Sequence, residues 1–312
     1  MGKTAFIFPG QGAQYVGMAK EISYICKSAE KIIDEATDAL GIDMKNMLFE
    51  SSEDTLKITE NTQPAILTAS MACAQPLLEA GIIPDYTAGL SLGEYSAHVL
   101  SGSLRFSDAV RIVRKRGKFM QEAVPVGKGS TAAIIGLGRE DVYEICEKAG
   151  SLGIVEPTNF NCPGQIVIAG ETEAVDEALR LAGEKGAKKV VKLNVSAPFH
   201  CSLLIPAGEK LREVLEPIEV NEMKIPVATN VTGKIIENGS EIKELLVRQV
   251  SSSVLWEDCV RTLIELGVDT FIEVGPGKVL TGFMKRIDRN VRTYNVEDKE
   301  SLDQTLAALK NV

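Results

Sequence analysis

Gly89-Leu-Ser-Leu-Gly93, with Ser91 at its centre, forms a glycine-rich turn between two regular elements of this 312-residue chain. The short apolar run at 86–88 predicts a buried strand before the turn, and residues 92–101 predict a helix after it. Such a turn holds a serine above the edge of a sheet, where its hydroxyl faces a cleft and nearby backbone amides can bind a developing oxyanion. The pattern favours Ser91 as a nucleophile, and a chance match to a short motif is the alternative.

Strands and helices alternate along the chain on both sides of this turn. The predicted strands of this alternation are 4–8, 86–88, 225–228 and 270–274, and its predicted helices include 61–81, 92–101 and 302–310. Alternation of this kind indicates a parallel sheet that is covered by helices on both faces.

Between residues 127 and 196 the order of elements changes. The predicted strands and helices there follow the order β-α-β-β-α-β, at 130–135, 139–149, 153–159, 165–169, 172–185 and 188–193. This order is the split unit of a ferredoxin-like module. We therefore expect a small ferredoxin-like subdomain of residues 127–196, inserted into a discontinuous α/β domain of residues 1–126 and 197–312. Clefts between such domains are where ligands usually bind.

Composition excludes several classes of function. With 45 % apolar residues and a net charge of −9, the chain is an ordinary globular protein with no global attraction to nucleic acid or a membrane surface. Its six cysteines are spread singly and do not cluster with the two histidines, so we expect no metal site. Neither a membrane span nor a secretory signal is visible in the sequence. We expect a cytoplasmic protein with reduced thiols.

A serine nucleophile needs an adjacent base, and only two histidines are available. His98 lies seven residues along the predicted helix, roughly 10 Å from Ser91 along its axis, which is too far for a hydrogen bond. His200 follows Pro198-Phe199 in the segment that returns from the insertion to the sheet, and such a loop can reach a cleft. His200 is the better candidate base, with an ordinary surface histidine as the alternative.

The turn after the first strand, Pro9-Gly-Gln-Gly-Ala-Gln14, is predicted at the same sheet edge as Ser91. Its glycines expose backbone amides, including that of Gln11. A phosphate-binding turn is the alternative, but neither of the established glycine-rich phosphate-binding patterns is present. Gly275-Pro-Gly-Lys278 matches neither pattern and is excluded as a phosphate-binding turn for the same reason.

The run 111–116 carries four basic residues. Val110, Val113 and Phe119 interleave with it at helical spacing. This arrangement predicts the solvated face of an amphipathic helix rather than a contact with nucleic acid.

Six motifs follow one another along the chain: Phe8-Pro-Gly-Gln-Gly-Ala-Gln14, 89–95, 119–125, Asn159-Phe-Asn161 with 165–170, Pro198-Phe-His200 and 271–277. In this order they resemble the malonyl-CoA:acyl carrier protein transacylase family, which shares its fold with polyketide acyltransferase domains. The resemblance runs from end to end of the chain. It implies an α/β-hydrolase-like core with a ferredoxin-like insert, in agreement with the order of elements.

The resemblance also implies a set of site residues. These are Ser91 as nucleophile, His200 as base, the backbone amides of Gln11 and Leu92 as oxyanion hole, the backbone carbonyl of Gln249 as the group that orients the histidine, and Arg116 and Asn161 as substrate-binding residues. Arg116 would pair with the free carboxylate of a malonyl group, because a guanidinium offers a two-pronged fork that an ammonium lacks. Leu90 departs from the family, which usually has a histidine there that helps hold the acyl group.

The implied activity is transfer of a malonyl group from malonyl-CoA to the phosphopantetheine thiol of acyl carrier protein, through a malonyl-serine intermediate, to supply fatty acid synthesis. It needs no cofactor, and we expect a monomer. A trans-acting polyketide acyltransferase is the alternative within the family. A serine thioesterase or esterase would have no use for Arg116, and a non-catalytic acyl-binding or carrier-docking protein would not need both Ser91 and His200.

An acidic carrier protein would need a local basic surface on this acidic chain. Two candidates are visible. The first basic patch is Lys185, Lys188, Lys189 and Lys192, and the second basic patch is Lys278, Lys285, Arg286, Arg289 and Arg292.

Overall fold

The computed structural model describes residues 2–125, 127–193 and 197–310. Its strands are β1 Lys3–Phe8, β2 Tyr86–Gly89, β3 Gly129–Ile135, β4 Val155–Cys162, β5 Gln165–Glu171, β6 Lys189–Lys192, β7 Val227–Ala228, β8 Val268–Val274 and β9 Arg292–Val296. Its α-helices are α1 Lys20–Ile25, α2 Lys27–Leu40, α3 Met44–Phe49, α4 Glu53–Lys57, α5 Thr59–Glu79, α6 Gly93–Ser101, α7 Phe106–Glu122, α8 Arg139–Ala149, α9 Thr172–Glu184, α10 Ile205–Leu215, α11 Ile242–Gln249, α12 Trp256–Glu265, α13 Val279–Ile287 and α14 Lys299–Lys310.

The larger sheet has the strand order β7-β2-β1-β8-β9, and every neighbouring pair in it is parallel. Side chains of β1 alternate between two apolar cores: Phe6 and Phe8 lie in one, and Ala5 and Ile7 in the other. Because successive side chains of a strand point to opposite faces, this sheet is covered on both sides. The predicted parallel α/β architecture is confirmed.

The smaller sheet has the order β4-β5-β3-β6 with antiparallel pairs throughout. Helices α8 and α9 pack against it around a separate core that includes Ile134, Val142 and Ile168. This is the predicted split β-α-β-β-α-β unit. The predicted domain boundaries stay predictions, and both fall beside residues outside the described ranges, Val126 and 194–196.

Strand β4 joins the smaller sheet to the larger domain. Val254 donates its backbone N–H to Thr158 O at 2.8 Å, and Phe160 donates its N–H to Val254 O at 2.9 Å. Ser202 donates both its N–H and its hydroxyl to the Glu156 carboxylate, at 2.8 and 2.7 Å. These contacts hold the smaller sheet against the two segments that follow His200 and Gln249.

Two predicted elements have different bounds for identifiable reasons. The strand predicted at 225–228 is reduced to β7, Val227–Ala228, because Pro226 has no N–H to donate to a neighbouring strand. The last helix begins at Lys299 rather than at 302, because Asp298 Oδ1 accepts a 2.8 Å hydrogen bond from Ser301 N and caps the first turn.

In the described ranges, no helix combines the length and the apolarity that crossing a membrane requires.

The two glycines that flank Ser91 permit close contact between α6 and the sheet. A Cβ on Gly89 would lie 1.9 Å from the carbonyl carbon of Gly93, and a Cβ on Gly93 would lie 2.2 Å from Phe8 O. Both obstacles are backbone atoms, which cannot move aside as a flexible side chain can. The spacing of these glycines is therefore a packing requirement of the turn.

We predict that Gly89→Ala lowers the free energy of unfolding by about 3 kcal/mol, the upper end for overpacking, because the added methyl meets backbone. The matched control is Gly183→Ala in α9, where a Cβ meets nothing within 4 Å and the substitution is expected to stabilise by about 0.5 kcal/mol. Denaturant unfolding of both variants is the measurement, and equal effects would contradict the packing argument.

Candidate active site

Ser91 lies two residues after the end of β2, at the edge where the carboxyl ends of the parallel strands meet. Its backbone φ is 53°, in the left-handed region that residues with a side chain rarely occupy. The side-chain oxygen of Asn230, just past β7, accepts a 2.7 Å hydrogen bond from Ser91 N, and Asn230 Nδ2 donates to Gly89 O at 2.8 Å. Asn230 therefore holds the strained turn from the neighbouring strand.

The His200 ring lies between Ser91 and Gln249. Its Nε2 is 2.7 Å from Ser91 Oγ, and its Nδ1 is 2.8 Å from the backbone oxygen of Gln249. A carbonyl oxygen only accepts hydrogen bonds, so Nδ1 carries the proton and Nε2 is free to accept the proton of the serine hydroxyl. The backbone of His200, like that of Ser91, has a positive φ, of 62°.

Burial keeps His200 neutral. The ring is 5 % exposed, and burial, followed by the nearby charge of Arg116, lowers the pKa of His200 to about 3, against the opposing effect of the hydrogen bond to Gln249. A histidine with this pKa is an unprotonated acceptor at every pH near neutrality.

Arg116 reaches the same point from α7. Its Nη2 donates to Ser91 Oγ at 3.1 Å and to Gln249 Oε1 at 2.9 Å, and its Nη1 donates to Gln63 Oε1 at 2.9 Å. The residue is 1 % exposed, its Nε has no hydrogen-bond partner, and no carboxylate among the described residues is within ion-pair distance. A buried guanidinium with neutral partners and an unused donor is suited to receive an anion.

The prediction that the run 111–116 forms a solvated face is right for Arg111 and Lys115, which are exposed, and wrong for Arg116. The helix turns Arg116 to the opposite side, toward α5 and the cavity, where Gln63 and Gln249 replace water as hydrogen-bond acceptors.

The backbone amides of Gln11 and Leu92 belong to residues that line the same cavity, whose volume is about 260 Å³. Within the described part of the chain, neither amide donates a hydrogen bond. Asn161, from β4, lines the opposite wall, is 7 % exposed and has an Oδ1 without a partner among the described residues. The residues that line the cavity thus include two whose backbone amides donate no hydrogen bond to the described residues.

The structure adds three residues that sequence reasoning missed: Gln63, Glu94 and Asn230. Gln63 and Glu94 hold Arg116 and Gln249, respectively, by hydrogen bonds. Asn230 had a usable signal, since it follows the strand predicted at 225–228 and the ends of parallel strands meet at one edge. His98 lies apart from the site, buried with its Nδ1 2.9 Å from Ser103 Oγ.

Within the ranges that the structure describes, no group of three or more His, Cys, Asp or Glu side chains is placed to hold a metal ion. All six cysteines are buried free thiols, and burial raises the pKa of each of them.

The fold and this arrangement define a class of α/β protein in which a serine at a strand-to-helix turn meets a neutral histidine in a buried cavity. The acyl transferase domain profile matches residues 5–304. A malonyl CoA-acyl carrier protein transacylase of Bacillus subtilis is 46 % identical over 311 residues, which are 99 % of this chain and 98 % of the relative.

Solved structures of transacylases also superpose closely on this chain. A malonyl CoA-acyl carrier protein transacylase from Clostridium perfringens superposes with a TM-score of 0.97 at 48 % identity, covering 99 % of this chain and 98 % of that one. A malonyl-transacylase in complex with its type II PKS acyl-carrier protein gives a TM-score of 0.95 at 43 % identity, covering 98 % of this chain and 99 % of that one. The chain belongs to the malonyl CoA-acyl carrier protein transacylase family and is an acyltransferase.

We predict that the rate at which a neutral fluorophosphonate labels Ser91 is constant between pH 5 and 8. A histidine of ordinary pKa would lose roughly 30-fold of its neutral form at pH 5, whereas the lowered pKa of His200 keeps it unprotonated. Stopped-time labelling followed by intact-mass analysis measures the rate. An inflection near pH 6.5 would contradict the account of the buried, neutral ring.

Proposed function

We propose that the protein transfers a malonyl group from malonyl-CoA to the phosphopantetheine thiol of acyl carrier protein through a malonyl-Ser91 intermediate. The observation that carries this proposal is the buried guanidinium of Arg116, 3.1 Å from Ser91 Oγ and without a carboxylate partner among the described residues. Relatives that are 46 % and 48 % identical bear the name of this activity.

In the first half-reaction, Ser91 Oγ attacks the thioester carbonyl carbon as its proton passes to His200 Nε2. The oxyanion that forms accepts hydrogen bonds from the backbone amides of Gln11 and Leu92. The carbon–sulfur bond then breaks, and the coenzyme A sulfur takes the proton from His200. Gln249 O accepts from Nδ1 throughout, so it stabilises the protonated ring without an acidic third residue.

The second half-reaction runs the same steps in reverse order with a different thiol. The carrier's phosphopantetheine thiol gives its proton to His200 Nε2 and its sulfur attacks the acyl-serine carbonyl. The carbon–Oγ bond breaks, and Ser91 Oγ recovers the proton from His200. Each group of the site returns to its starting state, as a ping-pong cycle requires.

Selection of the acyl group rests on Arg116 and Asn161. The malonyl carboxylate would take the place that Ser91 Oγ holds against Arg116, and Asn161 would donate from its side-chain N–H group to an oxygen of the acyl group. Leu90 also lines the cavity, and it adds an apolar contact where the family usually has a donor. A thioesterase acting on alkyl chains would leave the charge of Arg116 buried and unused.

The proposal also covers the pathway and the cellular location of the protein. We place the protein in fatty acid synthesis, as a cytoplasmic monomer without a cofactor. Six free thiols are what a reducing compartment favours. Transfer to a polyketide carrier is the second candidate, because a 43 % identical malonyl-transacylase is bound to a type II PKS acyl-carrier protein.

The carrier protein would dock on the second basic patch. In the first basic patch, Lys185 pairs with Asp141 and Glu144, and Lys192 pairs with Asp176. In the second, the described carboxylates leave four exposed cations free of ion pairs: Lys278, Lys285, Arg286 and Arg289. Helix α13 carries two of these cations and also contributes Val279 and Phe283 to the cavity, so a carrier bound there would be at the entrance.

We predict that Arg116→Ala lowers kcat/KM for malonyl-CoA roughly 100- to 3,000-fold, because the carboxylate loses its buried partner. The value for acetyl-CoA should stay within about tenfold, since the nucleophile and base remain. Arg114→Ala is the matched control, because Arg114 pairs with Glu60 outside the cavity. Equal losses on both substrates in Arg116→Ala would make the arginine structural and favour the thioesterase alternative.

We predict that the double charge reversal Lys285→Glu/Arg289→Glu lowers kcat/KM for the carrier protein about tenfold at low salt, because the free cations speed association. The difference should shrink at high salt. Lys188→Glu/Lys189→Glu, also exposed and basic, is the control and should change transfer little. A larger effect in the control pair would move the docking surface to the first basic patch.

A further inference from the structure

Glu94 is a fully buried carboxylate that the proposed cycle does not use. It accepts hydrogen bonds from Thr229 Oγ1 at 2.7 Å, from Asn230 N at 3.0 Å and from Gln249 Nε2 at 2.7 Å. Burying a charged or acidic group is costly unless an opposite charge or several donors compensate it. Glu94 has three such donors, and the nearby buried cation is Arg116.

The Gln249 side chain connects Glu94 to Arg116. Its Nε2 donates to Glu94 Oε2, and its Oε1 accepts from Arg116 Nη2 at 2.9 Å. The orientation of the amide is determined, because Nε2 also faces Ser91 O at 3.0 Å and the guanidinium can only donate. One amide therefore separates the buried carboxylate from the buried guanidinium.

Other groups around Glu94 carry no positive charge. His98 Nε2 is 4.0 Å from Glu94 Oε1, and burial lowers the pKa of His98 to about 3, so it is neutral. The other titratable neighbours of Glu94 are Tyr95 and Cys259, and burial raises the pKa of both, so they are neutral as well. Around Arg116, the other titratable neighbours are Tyr95, whose ring centre is 5.5 Å from the guanidinium, and the neutral His200. Burial raises the pKa of Glu94, and its three donors and the charge of Arg116 oppose that rise.

We propose that Glu94 is the buried counter-charge of Arg116, joined to it through the Gln249 amide, and that it limits how tightly the site holds a carboxylate. The proposal rests on the proposed function, in which Arg116 binds the malonyl carboxylate. In the empty site, Glu94 balances the guanidinium. When a substrate carboxylate arrives, Glu94 is a like charge at short range, so it weakens binding and aids release. Glu94 is thus a positioning residue that acts through Gln249.

The proposal predicts opposite effects on binding and on stability. Glu94→Gln keeps the shape and an acceptor oxygen but removes the charge, so the KM for malonyl-CoA should fall about three- to tenfold. The KM for acetyl-CoA should not change, while the melting temperature should fall by about 5 °C. A merely structural residue would instead raise KM or lower kcat for both substrates.

Glu273→Gln is the matched control, because Glu273 is also fully buried and accepts two backbone N–H groups, from Leu280 and Thr281, away from Arg116. It should leave the ratio of malonyl to acetyl kcat/KM unchanged. A rise in that ratio in Glu273→Gln as large as in Glu94→Gln would overturn the proposal.

Melting temperatures of single and double variants test the pairing of Glu94 with Arg116 without an activity assay. In Arg116→Ala, Glu94 becomes the uncompensated charge, so Arg116→Ala/Glu94→Gln should melt at a higher temperature than Arg116→Ala. This comparison remains informative if Glu94→Gln alone fails to fold. A double variant less stable than Arg116→Ala, or an unchanged or raised KM for malonyl-CoA in Glu94→Gln, overturns the proposal. If Arg116→Ala itself leaves the ratio of malonyl to acetyl kcat/KM unchanged, the proposed function fails instead.

Discussion

A buried guanidinium without a carboxylate beside it is the constraint on which the rest of the site depends. Arg116 is 1 % exposed, and its hydrogen-bond partners are amide oxygens of Gln63 and Gln249 and the hydroxyl of Ser91. Water would compensate this charge at much lower cost, so the surrounding side chains must supply acceptors in fixed orientations. The same charge, together with burial, keeps His200 unprotonated. In the function proposed above, one residue therefore connects the choice of acyl group with the protonation state of the base.

The fold supplies the fixed positions that this arrangement needs. Parallel strands bring the turns after β1, β2 and β7 to one sheet edge, so Gln11, Ser91 and Asn230 meet although they are far apart in sequence. The smaller sheet closes the opposite wall through β4, which is bonded to the backbone at Val254. The positive φ angles of Ser91 and His200 are strained, and the surrounding hydrogen bonds compensate that strain.

Much of this was predictable from sequence because it follows from local patterns. The glycines around Ser91, the β-α-β-β-α-β order and the choice of His200 over His98 rest on spacing along the chain. The burial of Arg116 and the role of Asn230 depend on contacts between distant segments, which periodicity does not reveal. Charge runs were the weakest guide: Lys185 and Lys192 look free in sequence, but acidic side chains from neighbouring helices neutralise them.

Competition between malonyl-CoA and acetyl-CoA for Ser91 shows most directly whether the buried guanidinium of Arg116 selects the acyl group. The protein is mixed with equal concentrations of malonyl-CoA and acetyl-CoA, and the adduct is identified by intact-mass and peptide analysis before carrier protein is added. We expect a single malonyl group on the peptide that contains Ser91, and no adduct on Ser91→Ala. Acetyl and malonyl adducts in equal amounts, or a malonyl adduct that persists in Ser91→Ala, would contradict this expectation.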